Sequence, residues 1–377
     1  MTDPHRTLQP TPSTAELAAT PAAPATPLNG RFVDPVIPQL AHWQAEGISS
    51  ALVTLVAVDG SSPRPVGSQI AVNVHGDAVG TITSGCAEAT LVAEALAAIE
   101  KATRKVERYG KGSRYMDVRL PCGSGIDVLI DGHPDRDMVA RVADAIVRRQ
   151  PVSWTIPLPD AAVVVPPDVA ALDVVGPTEA DLPRSALDPE ARWFKRVYLP
   201  SLAVSIAGRG PAVRALAEVA AAMAWPVHVA SPDQPLLEAL RPQAQSCSHL
   251  TRPSDFDASH VDPWTAVVLL FHDHDWEPEL LERVLNSRAF YVGALGSLQT
   301  QAQRRAILAA RGVSAGAIDM VRGPIGLDIG AENPVEIALS TAAEIVAAAR
   351  VRRLTSPTVR PGEDMAGARW PGHRAAR

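Results

Sequence analysis

The sequence predicts an α/β protein with two folded units: an N-terminal α+β domain, then a domain built on a parallel sheet. Three observations carry this. From Leu202 onward, short apolar runs alternate with amphipathic stretches, the signature of parallel strands joined by crossover helices. Upstream, a hairpin signal and isolated helices occur without that alternation. Between the two lies a Pro-rich region, Pro157 to Pro189, and 377 residues are enough for two hydrophobic cores.

In chain order, residues 1–34 are rich in Pro, Ala and Thr and read as disordered. Residues 35–156 form the α+β domain. Within it, Ala51–Val58 is an apolar, β-branched run suited to a buried strand. Gln69–Val74 and Val79–Thr83 flank the turn His75-Gly76-Asp77 and read as a hairpin. Ala87–Glu100 places Leu91, Val92, Ala95, Leu96 and Ile99 on one helical face. Ile126–Ile130 reads as a strand and Met138–Val147 as a helix. Residues 157–200 are read as the interdomain connection. In the domain 201–352, Leu202–Ala207, Val227–Ala230, Ala266–Phe271 and Ala289–Gly293 are strands. Helices are expected at Ala212–Met223, near Pro278–Leu285, from Leu298 to about Arg311, and at Pro334–Val346. Asn333, Pro334 and Glu336 open the last of these as a capping box. Residues 353–377 read as a disordered tail.

Composition excludes several function classes. The formal charge of -6 argues against a nucleic-acid partner, which needs a basic face. Cys86, Cys122 and Cys247 are dispersed and form no CxxC pair, so neither a disulfide framework nor a Cys-rich zinc site is expected. No apolar run reaches the ~18–20 residues of a membrane span, and no signal peptide is recognisable, so a cytoplasmic protein is expected.

Several motifs could carry chemistry. Gly208-Arg209-Gly210 follows one strand directly and opens a helix, which defines a Rossmann-type unit able to seat a phosphate on a helix N-terminus. Val213 replaces its third glycine. Ser231 stands where a nicotinamide-dinucleotide site places an acid, so weak dinucleotide binding is expected, with the 2′-phosphorylated form favoured. His272-Asp273-His274-Asp275 ends the next strand and reads either as a polar loop or as an acid–base or metal cluster. Gly293 to Ser297, with Gly296, reads either as an anion-binding turn or as a capped helix start. Gly323 to Gly330 is a glycine-rich loop that reads either as a ligand loop from which Asp328 projects or as a turn steering the chain into the capped helix.

In the first domain, Ser61-Ser62-Pro63-Arg64-Pro65-Val66-Gly67 joins two strands and reads either as hydroxyls and a guanidinium offered to an oxyanion or as a rigid Pro loop with a solvated Arg. Thr83-Ser84-Gly85-Cys86 leads into a helix, and Cys86 reads either as a reactive thiolate in the first helical turn or as a buried, inert Cys. Leu120-Pro121-Cys122-Gly123-Ser124-Gly125 places a second thiol in a glycine-rich loop. Cys247 is read as structural.

Together these stretches resemble the XdhC/CoxI family. SSPRPVG (61–67), SGCAEATLV (84–92) and LPCGSG (120–125) are similar to signatures of its N-terminal domain. HDHDWE (272–277), FYVGALGS (290–297) and GPIGLDIGAENPVEIALS (323–340) are similar to those of its Rossmann partner. The family usually has glycine at the positions of Ser84 and Ser124 and an acid at that of Ser231. The resemblance implies a non-catalytic chaperone that binds the molybdenum cofactor (molybdopterin or its dinucleotide form) transiently. Such a chaperone assists sulfuration of the cofactor, protects it and inserts it into a xanthine dehydrogenase-type hydroxylase. It implies an apo molybdenum hydroxylase, a cysteine desulfurase and a cofactor-biosynthesis protein as partners, and allows a homodimer. Arg64, Cys86, Cys122, Gly208 and Gly210 would line or support the cofactor site, with Gly296 and Asp328 beside them. The alternatives are an NAD(P)-dependent oxidoreductase using the Rossmann turn and a sulfurtransferase working through a Cys persulfide.

Overall fold

The computed structural model describes residues 36–113, 123–159, 172–174, 185–188, 193–271 and 275–354. The chain begins with α1 (Val36–Ala45), then β1 (Ser50–Asp59), β2 (Gln69–Asn73), β3 (Ala78–Gly80), α2 (Glu88–Lys101), β4 (Arg104–Gly110), β5 (Gly125–Asp131) and α3 (Arg136–Val147). Five strands form an antiparallel sheet in the order β3-β2-β1-β5-β4. The apolar run predicted at Ala51–Val58 is its central strand, and both faces are covered. Ala51, Val53 and Leu55 pack with Leu91, Ala95 and Ala98 of α2. Leu52 and Val56 pack with Trp43 of α1 and Val139 and Val142 of α3. Burial on both sides is why the strand reads as continuous rather than alternating hydrophobicity.

The stretch 157–200 is more than a connection. β6 (Val152–Pro157), β7 (Leu172–Val174), β8 (Ala186–Asp188) and β9 (Trp193–Tyr198) form a four-stranded antiparallel sheet in the order β7-β6-β9-β8. Trp154 and Ile156 of β6, with Phe194 and Tyr198 of β9, enter the core against Leu52 and Val56. Proline and aspartate punctuation masked these strands in the sequence. Pairing in β9 runs from Pro157↔Trp193 to Val152↔Tyr198.

The second domain contains β10 (Ala203–Gly208), α4 (Pro211–Ala222), β11 (Val227–Ser231), α5 (Gln234–Leu240), β12 (Ser246–His249), β13 (Thr265–Leu270), α6 (Glu277–Leu285), β14 (Tyr291–Ala294), α7 (Leu298–Ala310), α8 (Ala315–Asp319), β15 (Val321–Arg322) and α9 (Pro334–Leu354). Its sheet is parallel, in the order β12-β11-β10-β13-β14-β15, as the alternation from Leu202 predicts. Residues of α4 and α9 pack on one face and those of α6 on the other. Strand order therefore reverses between β10 and β13, the switch point at which a crevice opens at their C-terminal ends. The two domains are tied by a bidentate ion pair in which Arg149 Nε and Nη2 meet Asp262 at 2.6 and 3.2 Å.

Candidate functional site

The register of the five-stranded sheet brings the first domain's motifs together. Asp59 at the end of β1 faces Gly125 at the start of β5, and Gly110 at the end of β4 also pairs with Gly125. On the other side, Gly80 at the end of β3 pairs with Ile70 near the start of β2. Loops 60–68 and 81–87 therefore emerge from one end of the sheet, where β4 ends and β5 begins. The approach is close: a Cβ on Gly60 would lie 3.2 Å from Ser124 Cβ.

Arg64 is half-buried in the first loop. Its amide donates to Ser62 Oγ at 3.3 Å, so one of the two hydroxyls counted toward an oxyanion already closes the turn. Cys86 is exposed in the second loop. It does not lie in the first helical turn as expected, because α2 starts at Glu88 with Ala87 as its N-cap. The amides flanking the thiol are also taken: Gly85 N–H and Ala87 N–H donate to Glu88 Oε2 at 2.7 and 3.3 Å. The helix-terminus argument for Cys86 therefore gives way to one based on exposure.

Glu88 organises this loop. Beyond those two amides, its carboxylate accepts from Thr81 Oγ1 (2.7 Å), Ile82 N (3.1 Å), Thr83 N (2.7 Å) and Thr83 Oγ1 (2.5 Å). Burial works against its charge, but the hydroxyls of Thr83 and Thr81 and the Thr83 amide outweigh it and hold the carboxyl at about 2. Thus fixed, the chain passes through positive φ at Ser84 (58°) and Gly85 (111°), conformations that short-range sterics disfavour for serine.

Cys122 lies outside the described residues. Arg108 braces the described residues on either side of it. The buried Arg108 guanidinium meets Asp127 at 3.0 Å and Asp59 at 2.9 Å, and its Nε donates to Lys111 O. Gly125 is required there, since a Cβ would stand 2.5 Å from Arg108 Nη2. Cys247 sits on β12, partly buried beside the parallel-sheet core, and burial pushes its thiol up.

The second domain gathers its motifs at the C-terminal edge of the parallel sheet. The two glycines of the phosphate turn have different reasons for being there. A Cβ on Gly208 would strike Leu270 O at 2.5 Å, so this position answers to strand packing. Gly210 adopts φ 78°, and among the described residues nothing lies within 4 Å of a Cβ placed there. It is the N-cap of α4 and supplies no side-chain cap, which leaves a helix start suited to an anion. Ser231 is fully buried, and its Oγ accepts from Asp233 N at 3.1 Å. Asp233 in turn caps α5 through Leu236 N. Neither side chain is disposed to hold a ribose.

Gly296 precedes Ser297, whose Oγ caps α7 by accepting from Thr300 N at 3.1 Å. A Cβ on Gly296 would lie 2.7 Å from Thr300 Cγ2, so the capped-start reading accounts for this glycine. Glu344 of α9 holds the loop carrying Asp328: its Oε2 accepts from Tyr291 O–H at 2.6 Å and Gly326 N–H at 2.8 Å. Burial, and then the Glu344 carboxylate, keep the Tyr291 hydroxyl protonated far above the usual phenol range. Asp328 itself is exposed. Asn333 caps α9 by accepting from Val335 N and Glu336 N, while Glu336 reaches back to Glu332 N, one residue beyond the expected capping-box partner. His272, Asp273 and His274 lie outside the described residues. The buried pair Glu277–Arg304 (2.7 Å) joins α6 to α7, and Arg304 also donates to Leu295 O.

The expected site residues thus fall into two groups: Arg64 and Cys86 on the edge of one sheet, and Gly208, Gly210, Gly296 and Asp328 on the edge of the other. Sequence reasoning missed Glu88, Arg108, Arg304 and Glu344, the side chains that hold these loops. Glu88 carried no capping-box spacing, since Thr81 and Thr83 stand seven and five residues before it and the N-cap is Ala87. Among the described residues no group of three or more His, Cys, Asp or Glu could hold a metal ion, and no helix is long and apolar enough to cross a membrane.

Comparison with known proteins agrees with this two-part organisation. The XdhC Rossmann domain matches residues 204–345, and the XdhC and CoxI family matches residues 43–110. The molybdenum cofactor insertion chaperone PaoD of Escherichia coli (strain K12) is 29% identical over 299 residues, spanning 79% of this chain and 83% of its own. A probable xanthine dehydrogenase subunit of Bacillus subtilis (strain 168) is 23% identical over 314 residues, spanning 79% of this chain and 92% of its own. A crystal structure described as a xanthine dehydrogenase from Bacillus halodurans has the same fold, with a TM-score of 0.67 at 22% identity, over 88% of this chain and 99% of that one. Matched in both of its parts and along most of its length, this chain belongs to the XdhC and CoxI family.

Proposed function

We propose that this chain is a molybdenum-cofactor chaperone for a xanthine dehydrogenase-type molybdenum hydroxylase. The observation that carries the reading is the likeness to the E. coli insertion chaperone along 79% of the chain. The two sheet edges suit such a cargo. The pterin's terminal phosphate, or the pyrophosphate of a dinucleotide form, matches the uncapped α4 start at Gly210. A solvent-facing thiol at Cys86 matches a sulfur-bearing molybdenum centre, since soft ligands favour soft partners.

In this reading Cys86 and Cys122 approach the metal end of the cargo, Arg64 takes an oxyanion, and Gly208 and Gly210 form the phosphate turn. Gly296 and Asp328 flank it. The cofactor is held transiently, during sulfuration by a cysteine desulfurase and after delivery from a biosynthesis protein. It is then passed to the apo hydroxylase in the cytoplasm, by a protein that works as a monomer or a homodimer. The test is to purify the protein from a molybdate-fed host competent in cofactor synthesis and to assay pterin and molybdenum. The reading expects both in near-equal amounts. Protein free of both, from a host whose own hydroxylases are loaded, would overturn it.

A further inference from the structure

The last helix, α9, is apolar on two sides. Ala338, Ala342 and Ile345 enter the core of the parallel-sheet domain with residues of α4. Between Pro334 and Ala349 its only charged residues are Glu336 and Glu344, and Glu344 is engaged by Tyr291 and Gly326. Val335, Leu339, Ala343 and Ala347 follow one another at four-residue spacing and form a second stripe, turned away from the core. Val335 is 63% exposed and Leu339 55%. The preceding loop widens this surface: Leu327 N–H donates to Ser340 O of the helix at 3.2 Å, and both Leu327 and Ile329 are exposed. Single apolar side chains on a surface need no explanation, but a helix apolar around its circumference is expected to be covered on both sides.

The charges at the two ends of the stripe say what fits it. Glu336 stands seven residues before Ala343, and the exposed Arg350 seven residues after it. If a second copy of α9 lies antiparallel across a twofold axis at Ala343, residues equally far before and after that alanine face each other. Glu336 then meets the second copy's Arg350, and Arg350 its Glu336. Leu339 meets the second copy's Ala347, a large side chain against a small one. Packing at a shallow angle of about 20° keeps both charged ends, about 10 Å from the axis, within reach of long side chains. We infer that α9 is the contact of a twofold homodimer, with two antiparallel helices crossing at Ala343 and Glu336 paired with Arg350 on either side. The dimer goes beyond the proposed function, which holds for either oligomeric state.

Sedimentation equilibrium on the full chain tests the contact, and a concentration-dependent dimer is expected. Leu339→Lys should abolish it, because an ammonium group then enters the apolar contact at two points. The position is exposed in the single chain, so the thermal midpoint of dilute protein should not change. Glu336→Arg and Arg350→Glu should each weaken the dimer at least about tenfold, two like-charge contacts replacing two opposite ones. An equimolar mixture of these two variants should regain most of the wild-type affinity as a heterodimer, since opposite charges again face each other at both ends. One chain of that mixture still lacks the Glu336 contact to Glu332 N, so its recovery reports the pairing across the axis. A monomer at every concentration, a dimer indifferent to Leu339→Lys, or a mixture that stays dissociated would overturn the inference. So would a monomeric wild-type chain whose docking to an apo hydroxylase is lost in Leu339→Lys, which would assign the stripe to the client.

Discussion

Glu88→Gln tests how the thiol loop is held. The carboxylate accepts six hydrogen bonds from Thr81, Ile82, Thr83, Gly85 and Ala87. A carboxamide accepts at one oxygen only and turns an N–H₂ toward donors, so part of the set is lost. Holding the carboxyl at about 2 rather than 4.5 corresponds to about 3 kcal/mol at 1.36 kcal/mol per pH unit. Because Glu88 is only partly buried, solvent screening reduces this to about 1–2 kcal/mol. A lowered carboxyl contributes fully above its unfolded value and loses that contribution as pH falls toward its folded one. Urea unfolding at pH 7 should therefore show a deficit of about 1–2 kcal/mol in Glu88→Gln that shrinks below pH 4.5 and closes near 2. Hydrogen exchange at Gly85 and Ala87 should quicken in the variant. Equal stability at pH 7, with equal protection of those amides, would refute the account of the loop.

Three further outcomes follow from the same structure. Arg304→Met strands the buried Glu277 carboxylate and should cost about 3–5 kcal/mol in urea unfolding, with partial recovery when Glu277→Leu is added. His228 stacks on His260, 4.2 Å between centroids, beside the Arg149–Asp262 pair. Burial, then the charges of His260 and Arg149, bring His228 down to about 4. A lowered histidine stabilises fully above 6.5 and progressively less as pH falls toward 4, so the thermal midpoint should drop across that window, and His228→Gln should flatten the profile. NAD should bind no better than millimolar by calorimetry, because the Ser231 hydroxyl is buried against Asp233 N; micromolar affinity with substrate reduction would favour a dehydrogenase.

The parallel sheet was legible because alternating apolar strands and helices have few other solutions, and its turn, Gly208 to Gly210, stands where the strand–helix junction predicts. β1 was legible for the same reason, as an apolar run too uniform for a one-sided strand. β9 was not, because Arg196 interrupts its apolar residues and its pairing with β6 is set by tertiary contact rather than local pattern. The site was legible as loops but not as an assembly. Glycines, thiols and Arg64 stand out in the sequence, whereas the residues that hold them act at long range. Arg108 reaches Asp59 across 49 positions and Glu344 reaches Tyr291 across 53. The placement of Cys86 failed for a physical reason. One acid two residues later captured the amides that a thiol would otherwise use.

The central claim is that the thiol-bearing loops hold the metal end of a molybdenum cofactor for delivery. The most direct measurement compares Cys86→Ser, Cys122→Ser, their double variant and Cys247→Ser, reading bound pterin and molybdenum per chain and the activity of an apo hydroxylase matured with each. Cys86 is exposed in its loop, so replacing one sulfur by oxygen leaves packing intact. The account predicts reduced loading and client activity in both single variants, a larger loss in the double variant, and wild-type behaviour in Cys247→Ser, all at an unchanged thermal midpoint. Full loading and full client activation by the Cys86, Cys122 double variant would contradict it.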